Sequence, residues 1–158
     1  MKRNPRLPGL RAAMASVARA AGTSIEFGLT GKDAASGPQA AAELPSIGFW
    51  LEFGTVNIPP RPFLRTTLKR NRRKWSNGLA QAFGKTQNPM GFRMAIRRVG
   101  VVIVGDTQAT IRRGPWAPNA PETVRRKGSS APLIDTGQLV QSIRAVYKVG
   151  GRTVEVIG

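Results

Sequence analysis

Three stretches of the chain repeat apolar residues at the spacing of an amphipathic helix. The pattern predicts helices over residues 9–21, over about 62–83 and over about Pro89–Arg113. The stripe predicted to face the core in the second helix is Leu64, Leu68, Asn71, Trp75, Leu79, Ala82 and Phe83. The core face predicted for the third helix is Phe92, Ala95, Ile96, Val99, Val102 and Ile103.

Shorter stretches alternate apolar and polar residues, as half-buried strands do. Thr23–Leu29, the second half of 139–149 and Thr153–Ile157 are predicted to be strands, whereas 139–149 begins as a helical turn. Gly150 and Gly151 join the last two strands and predict a hairpin. The fold class predicted is therefore α+β, with two long helices packed on a small antiparallel sheet.

Glycine and proline separate these elements. Residues 30–42 contain few large apolar side chains and are predicted to be a flexible loop. A short helix is predicted to start at Pro45 or Ser46 and to run through Glu52. Asn57–Pro62 is expected to be extended, because a residue before proline is driven out of the helical region. A Pro-rich joint therefore connects the short helix to the second long helix.

The length of the chain fits one domain, 1–158, with a basic N-terminal arm at 1–8. Gly114–Pro121 contains three prolines and is predicted to be irregular, and Glu122–Lys127 is expected to form one helical turn. No apolar run reaches the roughly 18 residues of a membrane span, and arginines interrupt the region after the arm. We therefore expect a soluble protein without a signal peptide.

Composition narrows the chemistry that the chain can perform. The absence of cysteine and histidine excludes disulfides, thiol catalysis, the usual zinc sites and Ser-His-Asp hydrolysis. Twenty-five Lys and Arg residues against eight Asp and Glu residues give a net charge of +17. Such an excess predicts a polyanion nearby, an acidic protein partner, or both. We assign no catalytic residue, no cofactor and no metal ligand.

The isolated acidic residues are expected to form ion pairs with basic residues. Glu52 is the only acid in a strongly apolar run and is expected to pair with Arg61 or Arg65. Asp106 lies near the core face of the third helix and is also expected to pair with an arginine. The acids are scattered singly, so the sequence shows no cluster for a divalent metal.

Basic residues cover most of the second long helix outside its core stripe. The residues predicted to contact DNA or an acidic ring partner are Arg61, Arg65, Lys69, Arg72 and Arg73. The alternative interpretation is a solvated basic face without a ligand. Trp75 lies on the core stripe and is expected to pack in the interior. No zinc finger or RNA-binding signature is present, so sequence-specific reading is not predicted.

Asp135-Thr136-Gly137 looks like the active-site triplet of retroviral-type aspartic proteases, in which two carboxylates share one proton. Three features weaken this remote alternative. Gln138 replaces a small residue, no second apolar-Gly-Arg motif follows, and the upstream segments are helical rather than strand. The local interpretation is that Asp135 or Thr136 caps the helix that follows.

Two dense blocks carry a resemblance to a known family. Phe49-Trp-Leu-Glu-Phe-Gly-Thr55 followed by Ile58-Pro-Pro-Arg-Pro-Phe-Leu-Arg65 resembles a signature of bacteriophage tail-completion and neck proteins, the head-tail connectors. Trp116-Ala-Pro and Pro132-Leu-Ile-Asp-Thr-Gly-Gln-Leu are similar to the C-terminal half of those proteins and of phage virion morphogenesis proteins. The resemblance covers about residues 45–149 and does not extend to the 30–42 loop.

The resemblance implies a structural virion protein at the head-to-tail junction of a long-tailed bacteriophage, assembled in the host cytoplasm. Copies would form a homo-oligomeric ring, a hexamer by analogy with tail tubes, around the DNA channel. Its implied neighbours are the portal-side connector and tail-tube or terminator proteins. The residues expected to form the interface or joint are Phe49, Trp50, Glu52, Phe53, Pro60 and Phe63. The rival prediction is a nonspecific basic nucleic-acid-binding protein outside any virion.

Overall fold

A computed structural model describes residues 22–29, 38–85 and 89–158 of the chain. The predictions for 1–8, 9–21 and 30–37 concern residues outside this described part. The strands are β1 (Thr23–Leu29), β2 (Ile143–Val149) and β3 (Arg152–Ile157), and the helices in the described residues are α1 (Pro38–Phe53), α2 (Phe63–Lys85), α3 (Pro89–Arg113), α4 (Pro121–Lys127) and α5 (Gln138–Gln141). The α+β prediction is confirmed.

The three described strands form one antiparallel sheet in the order β1-β2-β3. Thr23 lies opposite Val149 and Leu29 opposite Ile143, so β1 pairs with β2 along its full length although over a hundred positions separate the two strands in sequence. The β2–β3 connection is the predicted hairpin. Its two residues, Gly150 and Gly151, have φ values of 56° and 77°, and glycine occupies this region without steric cost.

The two long helices pack antiparallel against each other and against one face of the sheet. Lys74 of α2 bonds Asp106 of α3, whereas Gly78, one turn further along α2, lies against Val99. Trp75 is buried as predicted and meets Phe27 of β1 edge-on, with ring centroids 5.1 Å apart. The sheet contributes Ile143, Ala145 and Tyr147 to the same interior, each two residues apart along β2.

The predicted bounds of the long helices hold closely, but two predicted core residues are exposed. Leu68 and Val102 face outward, while Phe63 and Thr67 of α2 are completely buried. Thr67 tolerates burial because its hydroxyl donates a 2.6 Å hydrogen bond to the Phe63 carbonyl oxygen. The buried stripe of α2 therefore includes a polar residue that an apolar pattern passes over.

The start of α1 corrects the sequence prediction. The helix begins at Pro38, inside the predicted 30–42 loop, and Pro45 lies within the helix rather than at its start. Ala40, Ala41 and Ala42 have the highest helix propensity of any residue type, which favours helix on the N-terminal side of Pro45. The loop prediction is therefore wrong for 38–42.

The turn before α5 corrects a second prediction. Neither Asp135 nor Thr136 caps the helix. Gly137 occupies the N-cap position with φ of 82°, and no side chain makes a capping hydrogen bond. A residue with a Cβ is strained in this left-handed conformation, so the glycine sets the turn. Residues 114–120 are irregular as predicted, whereas Pro121, which was predicted to be irregular, is the first residue of α4. The rest of α4 covers the predicted turn at Glu122–Lys127.

Candidate functional site

Glu52 fastens the end of α1 to the start of α2. Its Oε2 accepts the Leu64 N–H at 2.9 Å, and its Oε1 accepts the Arg65 N–H and the Arg65 Nε–H, both at 3.0 Å. Arg65 Nη2 returns a 2.8 Å hydrogen bond to the Glu52 carbonyl oxygen. The carboxylate thus satisfies two of the free N–H groups of α2 at the positive end of its dipole. Of the two partners predicted for Glu52, Arg65 is confirmed and Arg61 is not.

A tight turn follows Glu52 and returns the chain toward α2. Gly54 has φ of 80°, and a Cβ placed there would lie 3.0 Å from the Ile58 carbonyl oxygen and from Pro60 Cδ. Thr55 Oγ1 accepts hydrogen bonds from the N–H groups of Asn57 and Ile58, at 3.3 and 3.1 Å. Only glycine fits where the chain passes this close to Ile58 and Pro60 with a positive φ. Gly54 and Thr55 therefore form the bend through their own backbone conformation and side-chain hydrogen bonds.

Arg61 is not a surface contact, which corrects its assignment to DNA or an acidic ring. Only 5% of the residue is exposed. Its Nε donates to the Ala117 carbonyl oxygen at 2.9 Å, and its Nη2 donates to the Pro118 carbonyl oxygen at 3.0 Å and to Asn119 Oδ1 at 3.1 Å. Burial lowers the pKa of the Arg61 guanidinium. The side chain thereby joins the two motif blocks, which lie far apart in sequence.

Asp106 also departs from its predicted partner. Instead of an arginine, it accepts 2.8 Å hydrogen bonds from Lys74 Nζ and from the indole Nε1 of Trp75. A buried indole N–H needs an acceptor, and Asp106 lies beside it on the neighbouring helix. Asp106 therefore locks the α2–α3 pair and is not part of a surface site.

The two motif blocks enclose a groove of about 420 Å³. Its walls come from α1, from the turn after Gly54, from α4 and from the turn before α5. The apolar residues of its lining include Leu44, Ile47, Leu51, Ile58, Leu133 and Leu139, and its charged residues are Arg61, Arg126, Lys127 and Asp135. The sequence pattern does not predict this groove, because its walls come from segments distant in the chain.

The six residues predicted for the interface or joint divide into two sets. Glu52 and Phe63 are buried and hold the joint together from inside. Phe49, Trp50 and Phe53 are 59%, 50% and 54% exposed, and Pro60 is also exposed. The Phe49 and Phe53 rings lie 4.7 Å apart, and the Arg65 guanidinium lies 4.7 Å from the Phe53 centroid. We call Phe49, Trp50 and Phe53 the aromatic surface.

Ion pairs separate the basic residues into two classes. Glu155 holds Arg93 and Arg97, at 3.4 and 2.9 Å, and the other cations paired with a described carboxylate are Arg65, Lys74 and Lys148. Lys69, Arg72 and Arg73 are exposed on α2 and form no ion pair with a described residue. We call these three residues the basic face. Arg72 and Arg73 lie three and four residues after Lys69, so the three side chains share one side of the helix.

Asp135 is exposed at the rim of the groove, in the turn before α5. The described part of the chain contains no group of three or more acidic residues arranged to hold a metal ion. It also contains no helix that is long and apolar enough to cross a bilayer.

Comparison with known proteins returned no matching family model, no matching curated protein and no matching solved structure.

Proposed function

We propose that this protein is a structural subunit of the head-to-tail junction of a long-tailed bacteriophage. In this role it completes the tail or neck as one copy of an oligomeric ring around the DNA channel. It acts through subunit contacts and electrostatics rather than catalysis. Its neighbours would be the portal-side connector on one side and tail-tube or terminator proteins on the other.

The observation that carries the proposal is the way the two motif blocks come together. The blocks that resemble neck proteins meet through Arg61, and Glu52 fixes the bend between α1 and α2. Residues used in this way give a stiff scaffold, and a stiff scaffold loses little conformational entropy when it joins an assembly. The same bend leaves the aromatic surface in solvent.

The aromatic surface has the composition of an interface centre. Aromatic residues are enriched at the cores of protein–protein contacts, where a few of them supply most of the binding energy. Phe49, Trp50 and Phe53 lie within a single helical turn of α1 and keep at least half of their area exposed. Contact with a neighbouring subunit would remove this apolar area from water.

The basic face supports a location beside DNA. Lys69, Arg72 and Arg73 are not neutralised by described carboxylates, and phosphate attracts such cations without regard to base sequence. DNA that passes through a channel presents every base sequence in turn, so contacts with it would be to phosphate rather than to particular bases.

The test is assembly on isolated tails and connectors with matched variants. Trp50→Ala is expected to weaken incorporation at least about tenfold, because an anchoring Trp contributes about 2 kcal/mol or more at an interface. Met90→Ala removes another exposed apolar side chain, 68% exposed on α3, and is expected to leave incorporation unchanged. Circular dichroism checks that both variants fold. Equal incorporation of the two variants, or none by the unmodified protein, would contradict the proposal.

A second candidate is a nonspecific nucleic-acid-binding protein outside any virion. The cations of the basic face favour it, because none of them pairs with a described carboxylate. Such a protein would bind duplex DNA tightly as a monomer, with affinity falling steeply as salt increases. It would also ignore tails and connectors. The assembly experiment therefore separates the two candidates, because DNA binding alone satisfies only the second.

A further inference from the structure

Arg61 carries a buried charge that has only neutral partners. Its hydrogen bonds run through Nε and Nη2 to two backbone carbonyl oxygens and to the amide oxygen of Asn119. Nη1 makes no hydrogen bond to a described residue. Burial of an ion is costly unless an opposite charge compensates it, and no carboxylate of the described residues is paired with this guanidinium. The positive charge of Arg61 is therefore not compensated by any carboxylate of the described residues.

The groove that Arg61 lines is cationic. Arg126 and Lys127 of α4 line it as well, and Asp135 is the single carboxylate among its described lining residues. Lys127 Nζ is partly engaged, donating a 3.1 Å hydrogen bond to the Ala131 carbonyl oxygen. Arg126 forms no ion pair with a described residue. Three cations therefore face one carboxylate in a partly enclosed space, which favours a negatively charged occupant.

The remaining lining selects among anionic ligands. Much of it is apolar, with leucine and isoleucine side chains from α1, from the turn after Gly54 and from both sides of the turn before α5. A volume of about 420 Å³ holds a few side chains of an extended peptide. A DNA duplex presents phosphates over a broad convex surface and has no apolar side chains for such a lining. The mixture of apolar lining and cations fits a peptide with both apolar and acidic residues.

We propose that this groove binds an extended acidic segment of a partner protein. Apolar side chains of the segment lie on the leucine and isoleucine residues, and one of its carboxylates lies against the exposed Arg126, within the positive field of the buried Arg61. The segment belongs to a different protein, because most described carboxylates of this chain are already committed. Glu26, Glu52, Asp106 and Glu155 all form ion pairs within the subunit.

This inference rests on the proposed function only for the partner's place in the neck. Its test uses the full-length protein without tails or connectors. A failure to bind peptide would therefore leave the result of the assembly experiment unaffected. The probe is a library of hexapeptides randomised over Leu, Ile, Val, Phe, Asp and Asn, selected on the immobilised protein. Asp and Asn have nearly the same shape, and their enrichment ratio therefore reports the preference for a carboxylate over an amide rather than for side-chain size.

The expected result is enrichment of Asp over Asn by about tenfold at one position flanked by apolar residues. Arg126→Gln is expected to weaken the selected peptide about fivefold, whereas Arg125→Gln changes its affinity less than about twofold. Arg125 is the neighbouring residue on α4 and does not line the groove. Arg126 is an exposed residue, so this pair of variants avoids the folding defect that a change at Arg61 risks.

Several results would overturn the proposal. Equal enrichment of Asp and Asn would contradict the claim that the ligand supplies a carboxylate. Enrichment of no peptide would contradict the claim that the groove binds a peptide. Equal losses in Arg126→Gln and Arg125→Gln would show attraction to net charge only. Displacement of the selected peptide by duplex DNA would assign the groove to the nucleic-acid surface instead.

Discussion

The joint and the basic face use the same residue types in opposite ways. At the joint, Arg61 is buried and Arg65 is held by a carboxylate, and both make several short hydrogen bonds. On the basic face, Arg72 and Arg73 project from α2 without a described carboxylate partner. The number of arginines in a segment therefore does not by itself locate a surface that binds a polyanion. Arginines of the joint stabilise the fold, whereas those of the basic face remain available to a ligand.

The largest expected effect is at Arg61. Arg61→Met keeps much of the side-chain volume but leaves three oxygen acceptors without their donor, and we expect it to lower the free energy of unfolding by about 3 kcal/mol. Urea denaturation measures the change. Arg125→Met serves as the control at an exposed position and is expected to change stability by less than about 0.5 kcal/mol. Equal losses of unfolding free energy in Arg61→Met and Arg125→Met would show that the buried arginine stabilises the fold no more than an exposed one.

Gly54 is expected to give the next largest effect. An alanine at its φ of 80° costs about 1–2 kcal/mol, and its Cβ would press on Ile58 and Pro60. Gly54→Ala should therefore lower stability by about 2 kcal/mol, measured by thermal and urea unfolding. Gly84 near the end of α2 has open space around it, and Gly84→Ala should be neutral or stabilise by up to about 1 kcal/mol. A larger loss of stability in Gly84→Ala than in Gly54→Ala would show that the bend at Gly54 is not rigid.

Glu52→Gln tests the carboxylate that holds Arg65 at the joint. The amide retains one oxygen acceptor for the start of α2 but loses the second acceptor and the charge that faces Arg65. We expect a loss of about 1.5 kcal/mol in urea denaturation. Glu122→Gln, at an exposed position on α4, is the matched control and should change stability by less than about 0.5 kcal/mol. A loss at Glu52 no greater than at Glu122 would show that the ion pair contributes little.

The smallest effect on stability is expected on the basic face, where the readout is DNA binding. Arg72→Gln with Arg73→Gln should reduce the slope of log affinity against log salt by about 2, at one released counterion per lost phosphate contact. The double change Arg93→Gln and Arg97→Gln removes the same charge from arginines already held by Glu155, and its slope should fall by less than about 1. Equal slopes in the two doubles would show that binding depends on net charge rather than on the basic face.

Local signals in the sequence were sufficient for most of the fold. Pro89 and Gly114 bound the third long helix, so the predicted Pro89–Arg113 range matches α3. The alternation of apolar and polar residues predicts β1 and β3, and the two consecutive glycines predict the hairpin. The sequence pattern does not predict the start of α1, because Pro45 resembles a first helical residue, although the alanines upstream of it continue the helix.

The sequence carried much less of the candidate site. Arg61 bonds two backbone carbonyl oxygens, and a carbonyl acceptor leaves no trace in residue identity. The acceptor for Trp75 was equally hidden, since Asp106 lies on the next helix and was assigned to an arginine. The aromatic surface was predicted as part of the joint, but only burial separates Phe49 and Trp50 from the buried Phe63.

The neck role is tested most directly by the native mass of the purified protein at low and high salt, with and without duplex DNA. A neck subunit should form a discrete ring, or remain a monomer that assembles only when isolated tails or connectors are added. DNA should then interact with the assembled ring in a salt-dependent manner. A stable monomer that coats DNA and ignores tails and connectors would contradict the neck role and favour the nucleic-acid-binding alternative.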